Sequence, residues 1–222
     1  VERYPILGGV CLNVGCIPSK ALLHVAEVMT EVRALAAHGV RYGEPVLDLA
    51  SLRAHRDAVV KRLTDGLAQL AQRRKVERVT GVGCFESPHT LIVEVSSESR
   101  PRRIAFERAI IAVGSRSIAL PGLPQDPRIL DSTSALALAD VPEQLLIVGG
   151  GIIGLEMAAV YFALGSKISV VELTDQLMPG TDPDLVRSFR RIVDPRCEKI
   201  WLGTQLNGID ARADGLHVHL EG

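Results

Sequence analysis

From Ala21 to about His38 the apolar residues recur at three- and four-residue steps: Leu22, Val25, Ala26, Val28, Met29, Val32, Leu35 and Ala36. That period predicts a helix with one broad apolar face, and Gly39 stops it. After a turn at Gly43-Glu44-Pro45, a second helix is expected from about Leu49 to Arg74, with Asp48 as its N-cap. From Val76 to about Phe106 the pattern shortens to β-type runs, Val76–Phe85, Thr90–Val95 and Arg103–Phe106. Turns at Ser87-Pro88-His89 and Ser96–Pro101 separate them, so a small antiparallel meander is expected. Ala109–Val113 is a continuous apolar run ending at Gly114-Ser115, which reads as a buried strand.

Pro121, Pro124, Pro127 and Pro142 then predict a stiff connection holding a short helix near Ser132–Ala139. Beyond it strand and helix alternate. Leu145–Val148 is a strand, Ile152–Leu164 a helix, Ile168–Val171 a strand and Asp184–Ile192 a helix, with short strands near Lys199–Leu202 and Leu216–Leu220. The fold class is α/β, with two Rossmann-like nucleotide-binding halves divided at the proline-rich connection, residues 1–120 and 121–222.

The second half carries Gly149-Gly150-Gly151-Ile152-Ile153-Gly154, which fits G-x-G-x-x-G directly after a strand and at the opening of a helix. Gly149 allows the tight turn, Gly151 lets the backbone approach a pyrophosphate, and Gly154 permits close strand–helix packing. Glu172 ends the next strand, where a carboxylate accepts bonds from ribose hydroxyls and repels a 2′-phosphate. The pattern points to NAD rather than NADP.

In the first half, Cys11 and Cys16 stand five residues apart within Gly8-Gly9-Val10-Cys11-Leu12-Asn13-Val14-Gly15-Cys16-Ile17-Pro18-Ser19-Lys20. This spacing is wrong for a zinc knuckle and for a thioredoxin motif. On an ideal helix it separates the Cα atoms by about 8.7 Å, whereas a disulfide wants them below about 7 Å. The pair can close only if the first turn is unwound, and Gly8, Gly9 and Gly15 supply that freedom. The motif reads as a working dithiol, easier to reduce than a relaxed bridge, with thiolates favoured near a helix N-terminus. A nicotinamide gives hydride while thiols exchange through sulfur, and a flavin is the usual intermediary. Val1-Glu2 looks like the end of a second Rossmann strand whose acid holds a ribose. The Ala112-Val113-Gly114-Ser115 turn is a second flavin-side candidate.

Composition adds mainly exclusions. A net charge of −1 gives no reason to expect nucleic acid or an anionic membrane, and one Trp, three Tyr and four Phe give no reason to expect base-stacking platforms. Cys84 and Cys197 read as ordinary thiols. His217 and His219 alternate on one strand with no third ligand in sight, so no metal is expected. Lys20 and Glu156, taken alone, read as surface charges. No apolar run approaches the length of a membrane span, and the opening on Val1-Glu2 leaves an upstream targeting segment open. The sequence reads as part of something longer.

Gly-Gly-Val-Cys-Leu-Asn-Val-Gly-Cys-Ile-Pro-Ser-Lys-Ala-Leu-Leu, then Ile-Ile-Ala-Val-Gly-Ser and Val-Gly-Gly-Gly-Ile-Ile-Gly-Leu-Glu, together resemble the bacterial dihydrolipoamide dehydrogenases, a branch of the flavoprotein pyridine-nucleotide disulfide reductases. The likeness spans the chain, strongest over 1–30 and 142–180 and weakest over Asp194–Asn207. It implies an FAD-binding domain over 1–120 and an NAD-binding domain over 121–222, each lacking part of the family's usual extent. Cys11 would be the interchange thiol that attacks lipoamide, and Cys16 the thiol facing the flavin. Lys20 would lie near flavin N5 in a buried pair with Glu156. FAD would be lined by Glu2, Gly8, Gly9, Val10, Cys11 and Lys20, with Gly81 and Gly83 on its adenine side and Ala112, Gly114 and Ser115 beside it. NAD would be held by Gly149, Gly150, Gly151, Ile152, Ile153, Gly154 and Glu172, with Leu206 a weaker match. The resemblance further implies a cytoplasmic homodimer that serves the lipoyl domains of 2-oxo-acid dehydrogenase complexes. Mercuric reductase shares a similar dithiol, and a nucleotide-binding module without catalysis is the other alternative.

Overall fold

The computed structural model describes residues 1–95 and 100–222. The turn expected at Ser96–Pro101 therefore lies largely outside the described residues. Helix α1 (Gly9–Val14) leads through Gly15 into α2 (Cys16–Ala34), which tightens into a 3₁₀ turn over Leu35–His38. Gly39 ends it in the left-handed conformation, φ 87°, as the glycine stop requires. α3 (Leu49–Arg73) starts where Asp48 accepts from the backbone N–H groups of Ala50 and Ser51. The meander follows as β1 (Val82–Ser87), β2 (Thr90–Glu94) and β3 (Arg102–Ala105), paired antiparallel in that order. It begins later than the apolar run at Val76, because Thr80 pairs instead with Glu2 in a parallel bridge.

The second half is a parallel sheet, β4 (Gln144–Val148), β5 (Lys167–Val171) and β6 (Cys197–Trp201), in that spatial order. α5 (Ile152–Leu164) crosses from β4 to β5, and α6 (Pro183–Val193) from β5 to β6. A short helix α4 (Ser132–Ala137) precedes them, closed by a reciprocal capping box between Asp131 and Ser134. A hairpin of β7 (Gln205–Arg212) and β8 (Gly215–Glu221) follows. Only its second strand was legible as a strand, since β7 reads Gln-Leu-Asn-Gly-Ile-Asp-Ala-Arg, with few β-formers and an irregular register at Leu206/Gly208.

One buried cluster holds α4, α5, β5 and α6 together, and α2 contributes Leu22 and Ala26 to it. Tyr161 sits at its centre, 1% exposed, donating its hydroxyl to the Ala135 carbonyl of α4 at 2.8 Å. Burial pushes the Tyr161 pKa up to about 12. From α3, Arg53 donates to the Leu138 and Ala139 carbonyls, and Arg56 to that of Leu136. Two cations thus satisfy the C-terminal carbonyls of α4.

Two expectations fail here. Ala109–Val113 is no buried strand: it has no regular structure, with Ile110 95% and Val113 90% exposed. A strand buried on both faces needs neighbours on its edges, and no described strand pairs with this run. Conversely, the helical run Gly9–His38 is long and apolar enough, by length and composition, to cross a membrane. Its Leu22 and Ala26 pack into the core.

Candidate functional site

The glycines at the first turn fix where the cysteines stand. Gly8 and Gly9 both take positive φ, 115° and 60°, which lets the chain enter α1 abruptly. Gly15 breaks the helix between the two cysteines, with φ −132° and ψ −110°. A Cβ there would lie 3.0 Å from the Val10 carbonyl oxygen and 3.3 Å from Cys11 Cα. The unwound turn that the spacing demands is present, at Gly15 between the two cysteines. Both cysteines are free and exposed.

The thiolate expectation is corrected for Cys11. Its pKa stands above the ordinary thiol value, foremost because of the hydrogen bond with Cys16, then partial desolvation and the repulsion of a Cys16 charge; Lys20 and a backbone bond pull the other way. With six residues in α1 and Cys11 in its interior, the helix terminus contributes less than the paired sulfur. Ser19, 3% exposed, bonds the Cys16 carbonyl at 3.0 Å and fixes the start of α2.

One turn further on, Lys20 Nζ meets Glu156 Oε1 at 2.5 Å, joining α2 to α5. The pairing expected from the resemblance is there, but it is not buried. The Lys20 side chain is 61% exposed and that of Glu156 23%.

Just ahead of α5, Gly149 takes φ 100° and its N–H bonds the Val171 carbonyl. A Cβ on Gly154 would lie 2.4 Å from the Gly149 oxygen and 2.9 Å from Ile147 Cγ2, so only glycine allows this strand–helix approach. Gly151, the N-cap, has nothing within 4 Å of a built Cβ, and no side chain caps the helix. Ile152 and Ile153 are exposed beside it. This open, uncapped helix start is the cradle a pyrophosphate requires, and the residues fit a dinucleotide.

Glu172 is buried and fully engaged. It accepts from Gly150 N at 2.7 Å, Thr174 N at 2.8 Å and Thr174 Oγ1 at 2.9 Å. Burial pushes its pKa up, and the bonds from Thr174, Gly150 and Leu173 more than offset this, leaving it below the ordinary carboxylate value. The carboxylate therefore stays charged. Thr174 was missed in the sequence; its only signal there was a short polar side chain two residues past the acid. Leu177 was missed too. It is fully buried, and a Cβ on Gly150 would meet it at 2.5 Å.

The flavin-side candidates are less gathered. Glu2 is tied by its backbone to Val79 and Gly81, next to the meander. Gly9 has open space around it. Gly81 and Gly83 are spent on packing, since Cβ atoms would meet the Glu94 oxygen at 2.4 Å and Leu91 at 3.1 Å. Ala112, Gly114 and Ser115 lie in the exposed segment. Leu206 pairs with Leu220 in the hairpin. Among the described residues no group of His, Cys, Asp and Glu is placed to hold a metal; His217 and His219 pair with Asp214 and Asp210 instead.

The profile of the family described as pyridine nucleotide-disulphide oxidoreductase matches residues 1–222. The chain belongs to that family. It is 51% identical to a dihydrolipoyl dehydrogenase of Vibrio cholerae over 100% of its own length and 46% of the relative's. A dihydrolipoyl dehydrogenase of Haemophilus influenzae is 50% identical over the same shares, and a leghemoglobin reductase of Glycine max is 38% identical over 100% of this chain and 42% of its own. The HOCl-induced flavoprotein disulfide reductase RclA of Escherichia coli superimposes with a TM-score of 0.79 at 26% identity, covering 99% of this chain and 46% of that one. This chain thus spans about half the length of the curated relatives it matches.

Proposed function

We propose that this chain is the dithiol and nucleotide-binding portion of a dihydrolipoyl dehydrogenase, which oxidises protein-bound dihydrolipoamide to lipoamide and passes the electrons to NAD. The carrying observation is the coexistence, in one packed unit, of two exposed cysteines on either side of a broken helical turn and an open glycine turn beside Glu172. Residues 1–120 serve the flavin and 121–222 the NAD.

In this reading Cys11 exchanges with the substrate's sulfurs and Cys16 lies toward the flavin. Exposure of both sulfurs gives a lipoyl arm access. Glu2, Gly8, Gly9, Val10 and Cys11 would hold FAD, with Ala112, Gly114 and Ser115 beside it. Gly81 and Gly83 shape the meander next to it rather than touch it. A bound flavin supplies the two-electron exchange between thiols and nicotinamide. Lys20, steadied by Glu156, supplies positive charge on the dithiol side of α2. Gly149–Gly154 would cradle the NAD pyrophosphate at the start of α5, and Glu172 its ribose. Leu206 would close the far side of that pocket. The lipoyl domains of 2-oxo-acid dehydrogenase complexes are the proposed partners, the working unit is a homodimer, and the compartment is the cytoplasm.

The test joins this chain to the flanking segments of the Vibrio cholerae relative, reconstitutes it with FAD and supplies dihydrolipoamide and NAD without oxygen. NADH should form, and Cys11→Ser or Cys16→Ser should each abolish it. NADH formation that survives both substitutions, or none with the native sequence although FAD is bound, would refute the assignment.

A further inference from the structure

Asn13 lies between the two cysteines, and its side-chain nitrogen is spent on the backbone ahead of them. Nδ2 donates to the Gly9 carbonyl at 2.9 Å and to the Leu7 carbonyl at 3.2 Å. Two carbonyl oxygens can be met only by the amide nitrogen, which fixes how the Asn13 side chain is turned. Those carbonyls bracket Gly8 and Gly9, the two residues with positive φ. A long backbone bond, Leu12 N to Gly8 O at 3.4 Å, ties the same turn.

The two sulfurs are held unequally. Cys16 opens α2, a helix anchored by Ser19, 3% exposed, and Leu22, 1% exposed. Cys11 sits on α1, which has no buried residue and no side-chain cap. Its place depends on the glycine turn, and glycine is the residue with the most freedom to lose. A cross-link forms more readily the less its loop must be ordered first.

We infer that Asn13 is a positioning residue for the Cys11–Cys16 pair: by holding the Gly8-Gly9 turn it keeps Cys11 against Cys16 and so favours closure of the disulfide. The inference rests on the proposed reading of the pair as a working dithiol. The reaction it governs is balanced with glutathione. The two thiols give up their hydrogens, one S–S bond forms, and one glutathione disulfide becomes two glutathiones.

The test is a redox titration of the full 222-residue chain in glutathione buffers, with the oxidised fraction read by thiol alkylation and mass spectrometry at Cys11 and Cys16. Asn13→Leu, which keeps the size and removes both donors, should shift the equilibrium about tenfold toward the dithiol, the size expected for two lost hydrogen bonds. That is a potential about 30 mV less negative. Asn13→Asp, the same shape with no donor, should shift it at least as far and covers the case in which the leucine variant fails to fold. A lower melting temperature with an unchanged potential would overturn the inference and leave the working dithiol standing. A native chain that forms no Cys11–Cys16 bridge in any buffer would overturn both.

Discussion

Two apolar runs ending in glycine meet opposite fates in this molecule. Leu145–Val148 before Gly149 becomes β4, pairs with β5, and delivers the glycine turn to the start of α5. Ala109–Val113 before Gly114 stays irregular and open to solvent. Hydrophobicity is alike in the two; the strand alongside is what differs. An apolar run therefore states a demand for burial, and only a neighbour meets it.

The largest expected effect breaks the well-packed member of that comparison. Gly154→Val forces a side chain against the Gly149 oxygen and Ile147. It should cost about 3 kcal/mol by overpacking, read by denaturant unfolding, and remove NADH binding read by fluorescence. Tyr161→Phe removes one of the two donors to the Ala135 carbonyl, which keeps the Leu138 N–H, and should cost about 0.5–1.5 kcal/mol in the same experiment. Asp131→Ala opens the capping box of α4 and should cost about 1 kcal/mol.

Acid sharpens the same half. The Glu172 pKa is lowered in the fold, so its stabilisation is complete above the unfolded carboxylate value, about 4.3, and is lost as pH falls through the folded value. Glu172→Gln should flatten that acid limb of the unfolding curve. The smallest effect belongs to the exposed run: Val113→Ser should leave stability within about 0.5 kcal/mol. A loss as large as that of Tyr161→Phe would show that the run is buried after all.

The alternation of β4, α5, β5 and α6 was legible because each element carries its own period and its own cap or glycine. The dithiol turn was legible because two cysteines at a five-residue spacing admit few backbones. β7 was not, because Ile209 is its one β-branched residue. Neither were Arg53 and Arg56, whose role depends on carbonyls some 80 residues away. Lys20 and Glu156 show the limit in between. Their pairing was foreseen from the resemblance, but their exposure is set by how α2 lies on α5. A pair so exposed contributes about 0–1 kcal/mol to stability, so its weight falls on charge placement.

The central claim is that Cys11 and Cys16 form one redox unit apart from the other two thiols. The most direct measurement is non-reducing peptide mapping of the reduced chain after one equivalent of oxidised lipoamide. A single bridge between Cys11 and Cys16, with Cys84 and Cys197 still free, is the expected result. A bridge that involves Cys84 or Cys197, or four thiols left unchanged, would contradict the account.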